Sequence, residues 1–228
     1  MTVTQCVAQA RNRIAAAAVA CGRDPREISL VAAAKHNPPE TIREAVAAGV
    51  DAVGENRVQE LLAKYDQGAY ENIPLHFIGA LQKNKIKGLI GKVSLIHSVD
   101  SLSLARAVEK ESARKSLTQD ILLEVNIGRE LSKSGILPED ALQTARELLM
   151  FDCIRLRGLM CIPPPADPTA LSHFFLQMKQ LYVDIRDKKG DNSCVQILSM
   201  GMSGDFELAI AHGSTMVRLG QALFGPRL

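Results

Sequence analysis

The stretch Ile28-Ser29-Leu30-Val31-Ala32-Ala33-Ala34-Lys35 is a short aliphatic run that ends in a lysine. Its apolar residues are consecutive rather than alternate, as in a parallel strand covered on both faces. The same kind of run recurs at 52–54, 75–78, 95–99, 121–127, 156–161, 195–200 and 216–219. Amphipathic segments separate the runs. Pro38 and Pro39 open a helix through Ala48, with Gly49 as its stop. Further helices are expected from 58, near 81–90, at 102–114 and 138–150, and at about 170–187 and 204–211, with a short segment after the last strand. An extra helix over 4–21 precedes the first strand. There Val7, Ala10, Ile14, Ala17 and Cys21 give one apolar stripe. Eight strand–helix units favour closure into a single (β/α)8 TIM-type barrel, because closure removes both sheet edges. The competing open, doubly wound sheet lacks a GxGxxG after the first strand.

The 228 residues, 46% hydrophobic and 23% charged, suit one domain spanning 1–228 with one large core. A formal charge of +2 gives no reason to expect a nucleic-acid partner. No stretch of ~18 apolar residues suggests a membrane span, and the N-terminus lacks the order of a signal peptide. The five cysteines, Cys6, Cys21, Cys153, Cys161 and Cys194, are odd in number and form no CxxC pair. A disulfide framework or zinc site is therefore not expected, and a reducing cytoplasm is. Cys161 reads as a small buried hydrophobe, or as a reactive thiol near the active face. The five histidines form no metal-binding spacing. The run Pro163-Pro164-Pro165-Ala166-Asp167-Pro168 reads as a stiff loop, because two strands still follow it.

Barrel sites lie at the C-terminal ends of the strands, with phosphates often bound after strands 7 and 8. The polar groups and glycines at those ends are Lys35, Glu55, Asn56, Gly79, Asn126, Ser199, Met200, Ser203, Arg218 and Gly220. Lys35 follows three alanines. Partial desolvation there lowers a lysine pKa and frees an amine for Schiff-base chemistry. Taken alone, it is more commonly a surface lysine at a strand end. Ser203 reads as the N-cap of the next helix. Its hydroxyl and the neighbouring N–H groups suit a phosphate, and Gly204 and Gly220 allow close approach. Taken alone, each is more commonly an ordinary cap or turn. Asp205 must point away from such a site. Gly201-Met202-Ser203-Gly204-Asp205 resembles a nucleophile elbow but lacks the final glycine. Arg218 can donate to an unprotonated ring nitrogen but cannot yield a proton; it is equally a structural ion pair. Lys83, Lys85 and Lys87 read as a solvated face or a second anion site. In a closed ring strand 1 neighbours strands 7 and 8, so an amine faces a phosphate cradle. That pairing suggests an aldehyde-bearing phosphate ester held as a Schiff base.

The segments Leu30–Lys35, Gly54-Glu55-Asn56-Arg57-Val58-Gln59-Glu60, 76–85, Ser132-Lys133-Ser134-Gly135, 158–160, 198–203 and 213–220 together resemble the pyridoxal phosphate homeostasis proteins. These are single-domain relatives of the alanine racemase N-terminal barrel. The resemblance implies that Lys35 carries pyridoxal 5′-phosphate as a Schiff base. It implies phosphate contacts from Ser203 and Gly220, a ring-nitrogen contact from Arg218, and a pocket lined by Asn56 and Met200. His36, Pro38-Pro39 and Gln221 depart from the usual pattern. The last puts a side-chain phosphate contact at 221 in doubt.

The expectation is a cytoplasmic cofactor-binding protein that helps regulate cofactor supply, without robust catalysis and without catalytic or metal-binding residues. Apo forms of pyridoxal phosphate enzymes are the expected partners, and a monomer the expected state. The racemase relatives draw a tyrosine base from a second domain. Here the chain ends at Leu228, and Tyr65, Tyr70 and Tyr182 fall in helices or connecting loops. The alternatives are a small amino-acid racemase with Lys35 as its only base, and an aldolase-like barrel using Lys35 on a sugar phosphate.

Overall fold

Eight parallel strands close on themselves in chain order, β8 pairing with β1. They are β1 (Ser29–Ala33), β2 (Ala52–Glu55), β3 (Leu75–Phe77), β4 (Leu95–Val99), β5 (Gln119–Glu124), β6 (Ile154–Met160), β7 (Ile197–Ser199) and β8 (Met216–Leu219). The computed structural model describes residues 1–187 and 195–225; Cys194 lies outside the described residues. The helices are α1 (Val3–Ala20), α2 (Pro39–Ala47), α3 (Val58–Tyr65), α4 (Ile86–Leu89), α5 (Leu102–Arg114), α6 (Pro138–Leu148), α7 (Pro168–Asp187), α8 (Phe206–Ala211) and α9 (Gln221–Phe224). The expected barrel is the observed one. No helix among the described residues is long and apolar enough to cross a membrane.

The side chains sort by strand alternation. Leu30 and Ala32 of β1 and Val217 and Leu219 of β8 pack outward against α1, α8 and α9. Val31, Ala52, Leu95, Leu122, Met160 and Met216 form a separate apolar cluster inside the ring. Beside it the interior turns polar: His76, His97, Ser199 and Arg218 are all buried. The register between β4 and β5 shifts between Ile96 and Val99. Such an irregularity re-aims side chains, and the adjacent His97 and Ser98 are both buried here.

The extra helix α1 starts with a capping box: Gln5 N donates to Thr2 Oγ1 at 3.2 Å and Thr2 N to Gln5 Oε1 at 3.0 Å. It buries Val7, Ala10, Ile14 and Ala18. The expected stripe ran to Ala17 and Cys21 instead, and Cys21 is exposed. Ala17 is half-buried against the same cluster, and Cys21 stands at the C-cap beyond Ala20, where the helix no longer holds it against the barrel. Burial of Val7 and Ile14 contributes about 1.5–3 kcal/mol each.

The helix expected near 81–90 is reduced to a 3-10 turn, Lys83–Lys85, and the single turn α4. Lys83 and Lys87 are like charges four apart, and Gly88 weakens the helix further. Lys83 Nζ instead donates to Ser103 Oγ on α5 at 2.5 Å.

Candidate functional site

Lys35 sits in the turn just beyond β1, and the chain is clamped on both sides of it. The buried ammonium of Lys64 donates to Ala34 O at 3.2 Å, to Glu55 Oε1 at 2.8 Å and to Glu60 Oε1 at 2.6 Å. The same Glu60 oxygen accepts from His36 N at 2.6 Å. His36 has φ 64°, a left-handed conformation that costs a non-glycine residue and must be held by its surroundings. Asn37 Nδ2 donates to Lys35 O at 3.1 Å. Glu55 is fully buried and also accepts from Tyr70 OH at 2.9 Å. Burial raises the Glu55 pKa against the opposing pull of Lys64. Thus β2 and α3 fix the direction of a lysine carried by β1.

Lys35 lines a cavity of about 350 Å³ with Asn56, Ile78, Gly79, Ser98, Glu124, Asn126, Lys133 and Arg218, among others. The volume is at the lower end for small-molecule sites. Three buried polar atoms of its lining have no hydrogen-bond partner: Asn56 Oδ1, Ser98 Oγ and Glu124 Oε2. An unmet buried polar atom costs about 1–3 kcal/mol, so three in one cavity point to a ligand that pairs with them. Glu124 is pushed up to about 7, first by burial and then by Asp100, against the pull of Arg218. Gly79 marks a close backbone approach in the lining: a Cβ there would stand 2.2 Å from Asn56 O.

Arg218 enters from β8. Its Nη1 donates to Ser199 Oγ at 2.6 Å and its Nη2 to Cys161 O at 3.0 Å. Ser199 Oγ lies 3.2 Å from His97 Nδ1, and His97 Nε2 lies 3.1 Å from His76 Nδ1. Burial lowers the His76 pKa to about 4 and takes His97 well below its ordinary value, so both rings are neutral at pH 7. Cys161 is fully buried, with a thiol pushed up to about 12 by burial. It behaves as the small buried hydrophobe, not as a reactive thiol.

The loop after β7 differs from the expected cap. Helix α8 begins at Phe206, and Asp205 rather than Ser203 stands before it. Ser203 Oγ accepts from Ala222 N of α9 at 3.1 Å, so it ties the β7 loop to the β8 loop and keeps its own proton to donate. Asp205 folds back onto its loop, Oδ1 accepting from Met202 N at 2.6 Å. The glycine that this loop requires is Gly201, with φ 98° and a would-be Cβ only 2.7 Å from Ala209 Cβ; a Cβ at Gly204 meets nothing. Gly220 begins the β8 loop, and a Cβ there would sit 3.5 Å from Ala33 O beside β1.

Of the expected site residues, Lys35, Asn56 and Arg218 line one cavity. Ser203 and Gly220 lie on the two loops beside it. Met200 is buried in the core, and Met202 reaches the cavity in its place. Glu124 and Ser98 were not expected. Glu124 sits in a run that reads as a plain apolar strand, and only the two-residue alternation from Leu122 signals its inward direction.

The profile of the alanine racemase N-terminal domain matches residues 9–227. A pyridoxal phosphate homeostasis protein from Aquifex aeolicus is 40% identical, over 100% of this chain and 99% of its own. A crystal structure of an unknown protein from Bifidobacterium adolescentis is 37% identical with a TM-score of 0.93, covering 97% of this chain and 94% of its own. The structure of PipY from Synechococcus elongatus with pyridoxal phosphate bound is 32% identical with a TM-score of 0.81, covering 94% of this chain and 99% of its own. The chain belongs to the alanine racemase N-terminal domain family and, within it, to the pyridoxal phosphate homeostasis proteins.

Proposed function

We propose that the protein binds pyridoxal 5′-phosphate in the cavity around Lys35 and acts in the cytoplasm as a reservoir that passes the cofactor on, without robust catalysis. The observation that carries this reading is the convergence of Lys35, Asn56 and Arg218 on one cavity whose lining holds three unpaired buried polar atoms. These residues fit the cofactor. When bound, it supplies an aldehyde for an amine and a ring that withdraws electrons. Lys35 is the amine, held in direction by the Lys64–Glu60 clamp. Arg218 presents a donor to the ring nitrogen. Being a fixed cation, it cannot protonate that nitrogen, which leaves the ring a weak electron sink. Ser203 and the backbone at Gly220 hold the phosphate where the loops after β7 and β8 meet. Asp205 does not oppose this, because its carboxylate is engaged by its own loop. Free thiols at Cys6, Cys21, Cys153 and Cys161 suit a reducing compartment. Apo forms of pyridoxal phosphate enzymes are the natural recipients, and a monomer the working state. The test is transfer: loaded protein mixed with such an apo-enzyme restores its activity faster than spontaneous loss of cofactor allows. Transfer no faster than that loss contradicts the reading.

One observation favours a second reading, a racemase-type enzyme. Glu124 stays near neutrality in its pKa and lines the same cavity as Lys35, so it can hold or give a proton there. Exchange of amino-acid α-protons in heavy water at about 1 s⁻¹ or faster, lost in both Lys35→Ala and Glu124→Gln, favours the enzyme over the reservoir.

A further inference from the structure

A second cleft lies at the opposite, N-terminal end of the barrel and shares no residue with the cavity around Lys35. It holds about 460 Å³ between the segment leading into β1 (Arg23, Glu27), one face of α7 (Leu176, Lys179, Tyr182, Arg186) and the turn from α8 to β8 (His212, Gly213, Thr215). We propose that this cleft binds the dianion of a phosphate monoester, with Lys179 as its central ligand and Arg23 and Arg186 on either side.

Two of the three cations come from one face of α7 and the third from the segment before β1, and contacts within the protein hold them. Arg23 Nη1 donates to Ile210 O at 3.0 Å and to Ser214 O at 2.7 Å, which fixes the plane of the guanidinium. Its link to Glu27 is long, 3.4 Å. Lys179 and Arg186 stand one turn before and one turn after Tyr182 on α7 and approach its ring at 5.3 and 5.6 Å from the centroid. The Lys179 stem lies across Gly213, where a Cβ would come within 3.0 Å of its Cδ, Cε and Nζ. Glycine at φ 93° therefore admits the lysine to the cleft.

Charge among the described residues of the cleft is not balanced. Among the described residues Lys179 has no carboxylate partner, and Glu27 is the only carboxylate in the lining. Arg186 reaches Asp187 through Nε at 3.1 Å and also hydrogen-bonds Tyr182, so its guanidinium is oriented at the cleft wall with donors to spare for an anion. Burial and the two neighbouring guanidiniums pull the Lys179 pKa down, as expected of an ammonium that lacks a counter-charge. The groove around Arg11 and Arg26 shows the contrast. There Arg11 pairs with Asp51 at 2.8 Å and Arg26 with Asp24 at 2.6 Å, and nothing is left over. A tetrahedral dianion offers three oxygens to one ammonium and two guanidinium edges. The ester group then faces Leu176 and Ala211, the apolar part of the wall.

The test is an amide NMR titration of the full chain at constant ionic strength, with glycerol phosphate, inorganic phosphate and acetate as probes. The amides of Gly213 and Thr215 report the cleft, and those of Gly220 and Asn56 report the cavity around Lys35. The expected result is saturable shifts at Gly213 and Thr215 with both phosphates, and at least tenfold weaker binding of acetate. Tighter binding of glycerol phosphate than of inorganic phosphate assigns the monoester; the reverse order overturns that choice. Lys179→Met keeps the stem over Gly213 and is expected to weaken binding at least tenfold, and Arg186→Gln to weaken it severalfold. No saturable shift at Gly213 and Thr215, or equal shifts in wild type and Lys179→Met, overturns the proposal. Shifts confined to Gly220 and Asn56 overturn it too, while leaving the cofactor reading intact.

Discussion

Arg218 Nη1 donates to Ser199 Oγ at 2.6 Å in the closed interior of the barrel. A guanidinium has only donors, so Ser199 Oγ accepts here and its own proton is available to donate. We expect the Ser199 hydroxyl proton to turn to His97 Nδ1, which places the His97 proton on Nε2, directed at His76 Nδ1. Two neutral histidines and a serine thereby hold the cation that β8 presents to the cavity.

Ser199→Ala strands both Arg218 and His97. Denaturant unfolding should show a loss of about 1–3 kcal/mol. Nitrogen NMR of the wild type should find His97 protonated on Nε2. A proton on Nδ1 contradicts the order above.

Lys64→Met leaves Glu55 buried without its cation. Breaking such a pair costs about 3–5 kcal/mol. Pairing the change with Glu55→Gln should recover part of the loss, because a neutral amide needs no counter-charge. Equal stability of Lys64→Met and the double variant contradicts the clamp around Lys35.

Glu124 gives a signed pH dependence. Its pKa in the folded protein, about 7, lies above its ordinary 4.5. Between those values the folded state keeps a proton that the unfolded state has lost, so this residue destabilises the fold as pH rises through the window. Glu124→Gln should therefore exceed wild type by about 1–3 kcal/mol at pH 8 and approach it near pH 4.5. Thermal melts at the two pH values check the difference, and a constant offset contradicts the assignment.

Phosphate binding separates side chain from backbone. Ser203→Ala should weaken cofactor binding by about 0.5–1.5 kcal/mol, or up to ~3 if the lost bond is charge-assisted. Gly220→Val should do more harm by blocking approach to the backbone. The protein itself offers a Cβ there only ordinary contacts, at 3.5 Å or more, so the fold should tolerate it. Unchanged affinity in both variants places the phosphate elsewhere.

The barrel and half of the site are legible in the sequence for definite reasons. Parallel strands buried on both faces write themselves as aliphatic runs, and Lys35, Asn56 and Arg218 stand where such runs end. Ser98 is hidden because the irregular register of β4 breaks strict alternation. Glu124 is hidden because one carboxylate inside an aliphatic run is marked as inward only by its alternation with Leu122. Lys64 and Glu60 look like an ordinary surface pair four apart on a helix; only the fold of α3 against the β1 turn makes them the clamp on Lys35. The displaced cap at Ser203 follows from Gly201, whose left-handed turn carries the chain further before α8 can start.

The central claim is that Lys35 is the residue to which pyridoxal phosphate attaches. The direct measurement is borohydride reduction of the purified, cofactor-loaded protein, followed by peptide mass analysis and an absorption spectrum. The account predicts a yellow protein whose visible band disappears on reduction, with the cofactor fixed to the peptide containing Lys35 and no such band in Lys35→Ala. Cofactor fixed to another lysine in the wild type, or a full visible band in Lys35→Ala, contradicts it.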